Sequence, residues 1–244
     1  DTDTDTDTDT DTDTGRRTEL LECVIESGGC DEILVPNSDN LILLQGSGYW
    51  ADDGLNHSGQ TICIPSGTYR ALNFNGLRGS EDGPIIISNC GAGQVLVDAQ
   101  GQSSSLAANG GRHLHFSGTG DPDQKYGFVL KNAGAGRQVI DMANGVSNIE
   151  IDYFEITGPA YAGIAIRNYP FCDESLGRDV FTQNNTLIHH NYVHNVSGEG
   201  LYLGCSHYHE SYSPTSGEEC APGFAEPALR GVQVYNNTIE NVGR

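Results

Sequence analysis

Histidines and acidic side chains crowd one stretch of this chain. His189, His190 and His194 lie close together and are followed by Glu199, His207, His209 and Glu210. A neutral imidazole beside a carboxylate can serve as a general base or as a metal ligand. His207-x-His209 would put both rings on one face of a strand, and His113-x-His115 repeats the spacing around Leu114. Neither pair has a companion cysteine or a third fixed ligand, so polar decoration of loops and corners is the preferred reading and no metal ligand is assigned.

The elements that must position these residues are short. From Thr61 onward, three- to five-residue apolar runs are closed by Gly, Asn or Ser: Ile62-Cys63-Ile64, Ile85-Ile86-Ile87, Val95-Leu96-Val97, Ile164-Ala165-Ile166, Leu201-Tyr202-Leu203. Such runs are β-strands with one face inward, and no helical period of useful length competes with them. Glycine, with 32 copies, supplies tight corners.

The runs repeat. Segments 149–156, 186–193 and 232–239 align, with Ile151, Ile188 and Val234 in equivalent places, at offsets of 37 and then 46 residues. Three short strands and their corners need about 20–25 residues, within the solenoid range, so the excess is inserted chain. Both insertions follow the same strand, at 168–184 and 204–230, and should lie side by side on successive coils. The alignment puts Asp152, His189 and Tyr235 in one outward column, and Asn191 and Asn237 at one corner as an amide ladder.

These features resemble the right-handed parallel β-helix superfamily, the pectate-lyase-like proteins. Ile62-Cys63-Ile64-Pro65-Ser66-Gly67-Thr68-Tyr69 is similar to the first coil of many members. Gly83-Pro84-Ile85-Ile86-Ile87 through Val97 is similar to the second, and Tyr235-Asn236-Asn237-Thr238-Ile239 to later repeats. The resemblance covers about residues 60–244. It implies an all-β, right-handed parallel β-helix solenoid with long insertions at one corner. The expected organisation is an Asp-Thr linker at 1–14, a transitional or capping segment at 15–60, and a β-helix at 61–244 that is incomplete at its C-terminal end.

The resemblance also implies an extracellular protein acting on polysaccharide by lyase or hydrolase chemistry. Hydrolase motifs of the polygalacturonase kind are absent apart from an isolated Asp52-Asp53. Lyase chemistry needs a base, usually Lys or Arg, and a cation to neutralise a uronate carboxylate. Lys131 and Arg167 each follow a G-x-x-x strand and are the basic candidates; the alternative for both is a surface ion pair. His189 and Glu199 complete the catalytic candidates. Tyr169, Tyr208, Tyr212, Asp152 and Tyr235 are the substrate-binding candidates, since sugar sites pair aromatic faces with polar groups; the tyrosines could equally pack the loops onto the coil.

Composition narrows the partners. Net charge is −21 and only Lys125 and Lys131 are lysines, so there is no basic patch for nucleic acid and no attraction to anionic membranes. No apolar run is long enough to cross a membrane. The seven Asp-Thr pairs at the start lack the glycine turn and terminal glutamate of an EF-hand loop and read as a solvated spacer. No cofactor is assigned, and calcium remains a candidate ion. The seven scattered cysteines suit an oxidising compartment and a secreted or cell-surface location. Cys23 and Cys30 could close a small loop, Cys63 and Cys90 could bridge neighbouring coils, and one further disulfide is expected among Cys172, Cys205 and Cys220. The leading expectation is thus an extracellular polysaccharide-binding, lyase-like β-helix protein; its rival is a non-catalytic surface or adhesion protein.

Overall fold

A computed structural model describes Cys23 and residues 29–46, 57–101, 103–170, 174–205 and 225–243. The strands are β1 (Glu32–Ile33), β2 (Leu41–Gln45), β3 (Thr61–Tyr69), β4 (Ala71–Asn75), β5 (Ile85–Asp98), β6 (Leu106–Asn109), β7 (Arg112–Ser117), β8 (Phe128–Lys131), β9 (Gln138–Ala143) and β10 (Ser147–Asp152). They continue as β11 (Phe154–Gly158), β12 (Ala162–Ile166), β13 (Thr182–Asn184), β14 (Thr186–His189), β15 (Tyr192–Val196), β16 (Glu199–Leu203), β17 (Ala228–Arg230), β18 (Gln233–Tyr235) and β19 (Thr238–Glu240). Every pairing between these strands is parallel.

The largest sheet has the order β18-β14-β10-β7-β5-β8-β11-β15-β19, with β3 and then β1 attached to β5. The second runs β16-β12-β9-β6-β4-β2, and the third pairs β13 with β17. From β10 the chain passes through β11, β12 and β13. From β14 it makes the same circuit through β15, β16 and β17, one strand further along each sheet. Strand alternation does the rest: each inward side chain meets its equivalent on the next circuit. Ile151 pairs with Ile188, and Ile188 with Val234. The same column runs back through Phe116, Ile87 and Ile62. A second column stacks Phe128 on Phe154, with ring centroids 4.5 Å apart. Among the described residues the main core is a continuous apolar filling inside the parallel sheets, with Cys23, Cys63 and Cys90 as a second, smaller buried cluster.

Corner residues fix where strands turn. His113, Asn148, Asn185 and Gly231 all have positive φ, between 46° and 68°, and Tyr153, His190 and Asn236 form another such set at 54–57°. Asn and Gly adopt that backbone readily, whereas a bulky Tyr there is unusual and held by its surroundings. The corner amide of Asn191 is buried: its Oδ1 accepts the Phe154 N–H at 2.9 Å and its Nδ2 donates to Ile151 O at 2.9 Å and to Asn237 Oδ1 at 3.1 Å. The Asn191–Asn237 ladder expected from the repeats is thus present, and Asn75, Asn109 and Asn144 form another.

Two expectations change. β5 is 14 residues long rather than three to five, because it carries its strand pairing round a corner at Gly91 and Gly93, both at positive φ. The disulfides join Cys23 to Cys90 and Cys30 to Cys63, not Cys23 to Cys30 or Cys63 to Cys90. Pairing of β1 with β3 and of β3 with β5 gathers the sulfurs of Cys30, Cys63 and Cys90 within 4.8 Å of one another; Cys63 is bonded to Cys30, and Cys90 takes Cys23. Cys205 is a free thiol, and Cys172 and Cys220 lie outside the described residues. The two insertions do meet, as β13 beside β17.

Candidate functional site

The outward face of β7, β10 and β14 gathers four ionisable side chains. Ile149 and Ile151 point into the core, so alternation turns Glu150 and Asp152 outward. Register places His115 opposite Glu150 and His189 opposite Asp152. The close contacts run diagonally instead. His115 Nε2 lies 2.8 Å from Asp152 Oδ2 and 3.8 Å from Glu150 Oε1. His189 Nε2 lies 2.9 Å from Glu150 Oε1 and 3.8 Å from Asp152 Oδ2. Imidazole nitrogens and carboxylate oxygens therefore alternate around a four-membered ring of charges.

A buttress holds this tetrad. His189 Nδ1 and His190 Nδ1 are 2.8 Å apart, so one carries the proton and the other accepts it. The Tyr235 ring stacks on His189 at 4.7 Å and the Tyr153 ring on His190 at 5.1 Å. The positive φ of Tyr153 and His190 aims both rings at this cluster. These contacts orient the His189 ring so that Nε2 faces Glu150.

Electrostatics favour a protonated His115. Burial opposes its charge, but the hydrogen bond and charge of Asp152, with the charge of Glu150, outweigh that and raise its pKa above the ordinary histidine value. Asp152 is buried, with its side chain 7 % exposed, and its Oδ1 accepts no hydrogen bond from the described residues. A cavity of about 380 Å³ opens beside the tetrad. His115 and Glu150 form part of its wall, with His113 and the amides of Asn148, Asn184 and Asn185. The site can hold a polar ligand against amide groups and exchange protons with it.

The sequence candidates scatter over several places. His189, Asp152 and Tyr235 come together as the outward column predicts. Lys131, at the end of β8, is 3.5 Å from Asp98, and Arg167, after β12, is 3.2 Å from Asp141. Both basic candidates are therefore ion-paired and stand apart from the tetrad's strands. Glu199 begins β16 and lines a different cavity, of about 430 Å³, with Tyr161. Tyr169 donates or accepts a 2.9 Å hydroxyl contact with Tyr202, under the Arg167 guanidinium. Tyr208, Tyr212, His207 and His209 lie outside the described residues.

Nearby, burial and the Glu226 charge push the Cys205 thiol up to about 12, which makes it a poor nucleophile. Sequence spacing singled out His115, in His113-x-His115, but read it as decoration, and it missed Glu150. Glu150 sits inside the aligned repeat, so its alternation with Ile149 and Ile151 already marked it as outward. His115 needed the register of the preceding coil. No helix among the described residues is long and apolar enough to cross a membrane. Comparison with protein-family models, curated proteins and solved structures finds no match for this chain.

Proposed function

We propose that this chain is a secreted, right-handed parallel β-helix of the pectate-lyase-like type that binds a polysaccharide across the outward face of β7, β10 and β14 and breaks it by proton transfer at His115 and Glu150. The carrying observation is the alternating ring of imidazoles and carboxylates on the wall of an amide-lined cavity. His115 and Glu150 reach the cavity and are the proton carriers. Asp152 and His189 hold them in place from the next positions along the strands. The repeated circuit of parallel strands and the sequence resemblance support the architecture. Two disulfides in an acidic, lysine-poor chain support an oxidising, extracellular setting. With Lys131 and Arg167 engaged by Asp98 and Asp141, the Glu150 carboxylate is the better base and the protonated His115 the acid in this reading.

The test is a panel of acidic and neutral polysaccharides incubated with the full chain. Unsaturated products would be followed by ultraviolet absorbance and hydrolysis by new reducing ends. The reading expects product from at least one polysaccharide, lost in His115→Ala and Glu150→Gln. Binding without product on the whole panel would instead make the protein a non-catalytic glycan binder, and neither binding nor product would remove the glycan reading.

A further inference from the structure

Part of the tetrad also has the make-up of a metal site. One imidazole nitrogen and two carboxylates, from His115 on β7 and from Glu150 and Asp152 on β10, gather at one point. His115 Nε2 is 2.8 Å from Asp152 Oδ2 and 3.8 Å from Glu150 Oε1. A tetrahedral ion with bonds of about 2.0–2.1 Å needs donors roughly 3.3–3.4 Å apart, which is the middle of that range. The donor atoms of His115, Glu150 and Asp152 all lie within 4.8 Å of one another.

A second observation points the same way. Asp152 is more than nine-tenths buried, yet its Oδ1 receives no hydrogen bond from any described residue. A buried, unpaired carboxylate oxygen is costly, and a cation held by both oxygens of this carboxylate, Oδ2 toward His115 and the unpaired Oδ1, would remove that cost. The support beside the group is of the kind ligating carboxylates have: His189, fixed by His190 and covered by Tyr235, places its Nε2 2.9 Å from Glu150 Oε1.

We infer that His115, Glu150 and Asp152 form a binding site for one divalent transition-metal cation of the zinc type, with a fourth position left to solvent or ligand. An imidazole nitrogen among three donors favours such an ion over calcium, which prefers six to eight oxygens. The inference rests on the donor set alone and stands whether or not a glycan is the ligand. Cation and proton take the same lone pairs, so metal loading and proton-transfer chemistry exclude each other at this site.

The experiment is isothermal titration of the chelator-stripped full chain with zinc chloride, and separately with calcium chloride. The acidic N-terminal repeat and other histidines will bind some zinc, so the reading is a difference between proteins. Wild type should bind one equivalent more than His115→Gln or Asp152→Asn, or bind that equivalent more than about tenfold tighter. Circular dichroism shows whether each variant keeps its fold; His115 is partly exposed, so its replacement is the safer one. Zinc should also raise the melting temperature of wild type and not of the variants. Equal zinc stoichiometry and affinity in wild type and a folded variant would overturn the site. So would calcium binding there as tightly as zinc.

Discussion

His115 and Asp152 meet at 2.8 Å although 37 residues separate them in the chain. Their strands, β7 and β10, are neighbours in the large sheet, and register sets His115 opposite Glu150 rather than Asp152. The site exists because the imidazole reaches diagonally across that register. Its geometry thus depends on coils stacking in fixed alignment, and the predictions begin there.

Ile188 is fully buried between Ile151 and Val234. Ile188→Ala would remove packing from both neighbouring coils and leave a void. The expected loss is about 2–5 kcal/mol, read as a lower denaturant midpoint with an unchanged slope. An effect below about 0.5 kcal/mol, typical of surface positions, would contradict the stacked column.

Asn191 satisfies the Phe154 N–H and the Ile151 carbonyl, both buried groups. Asn191→Ala strands them and should cost about 1–3 kcal/mol. Asp would keep the acceptor but set a buried carboxylate against the Ile151 carbonyl and Asn237 Oδ1, so Asn191→Asp should be at least as unstable as Ala near neutral pH and recover in acid. Urea melts of the three proteins check the order.

Asp98 gives a pH dependence of known sign. Burial opposes its charge, but hydrogen bonds from Asn132 and Gln100 and the Lys131 charge together hold its pKa below the ordinary 3.8. Stability from this corner is complete above that ordinary value and is lost as the pH falls through the depressed one. Asp98→Ala should therefore be less stable than wild type at neutral pH, with the gap narrowing in acid. Urea midpoints between pH 7 and pH 3 measure it; a gap that widens in acid would contradict the sign.

Non-reducing peptide mapping should recover Cys23 with Cys90 and Cys30 with Cys63. Cys30→Ser with Cys63→Ser should destabilise the protein by about 2–4 kcal/mol, given a closed loop of 33 residues. A Cys63–Cys90 peptide would contradict this connectivity.

Much of the frame was legible in the sequence where the coils are regular. Ile151, Ile188 and Val234 announce their column, and Asp152, His189 and Tyr235 follow from alternation alone. Earlier coils were not legible in the same way. Coil length grows from 25 residues between Ile62 and Ile87 to 35 between Phe116 and Ile151, so no single offset aligns His115 with Glu150. Which outward residues pair is likewise a matter of register: Lys131 faces Asp98 because β8 lies beside β5. The diagonal reach that makes the tetrad comes from side-chain length and rotamer, and linear spacing carries neither. Disulfide connectivity was hidden for a related reason, since Cys30, Cys63 and Cys90 gather only once β1, β3 and β5 are paired.

The proposed site is tested most directly by the initial rate on whichever polysaccharide the protein turns over, measured for wild type, His115→Ala and His194→Ala. His194 is a fair control: it also lies in the large sheet and contacts a carboxylate, Glu155 at 3.0 Å, but on β15, away from the tetrad. The account predicts a loss of about 100-fold or more for His115→Ala, as expected for a removed proton carrier, and near wild-type turnover for His194→Ala. Equal rates for wild type and His115→Ala, or a collapse confined to His194→Ala, would contradict it.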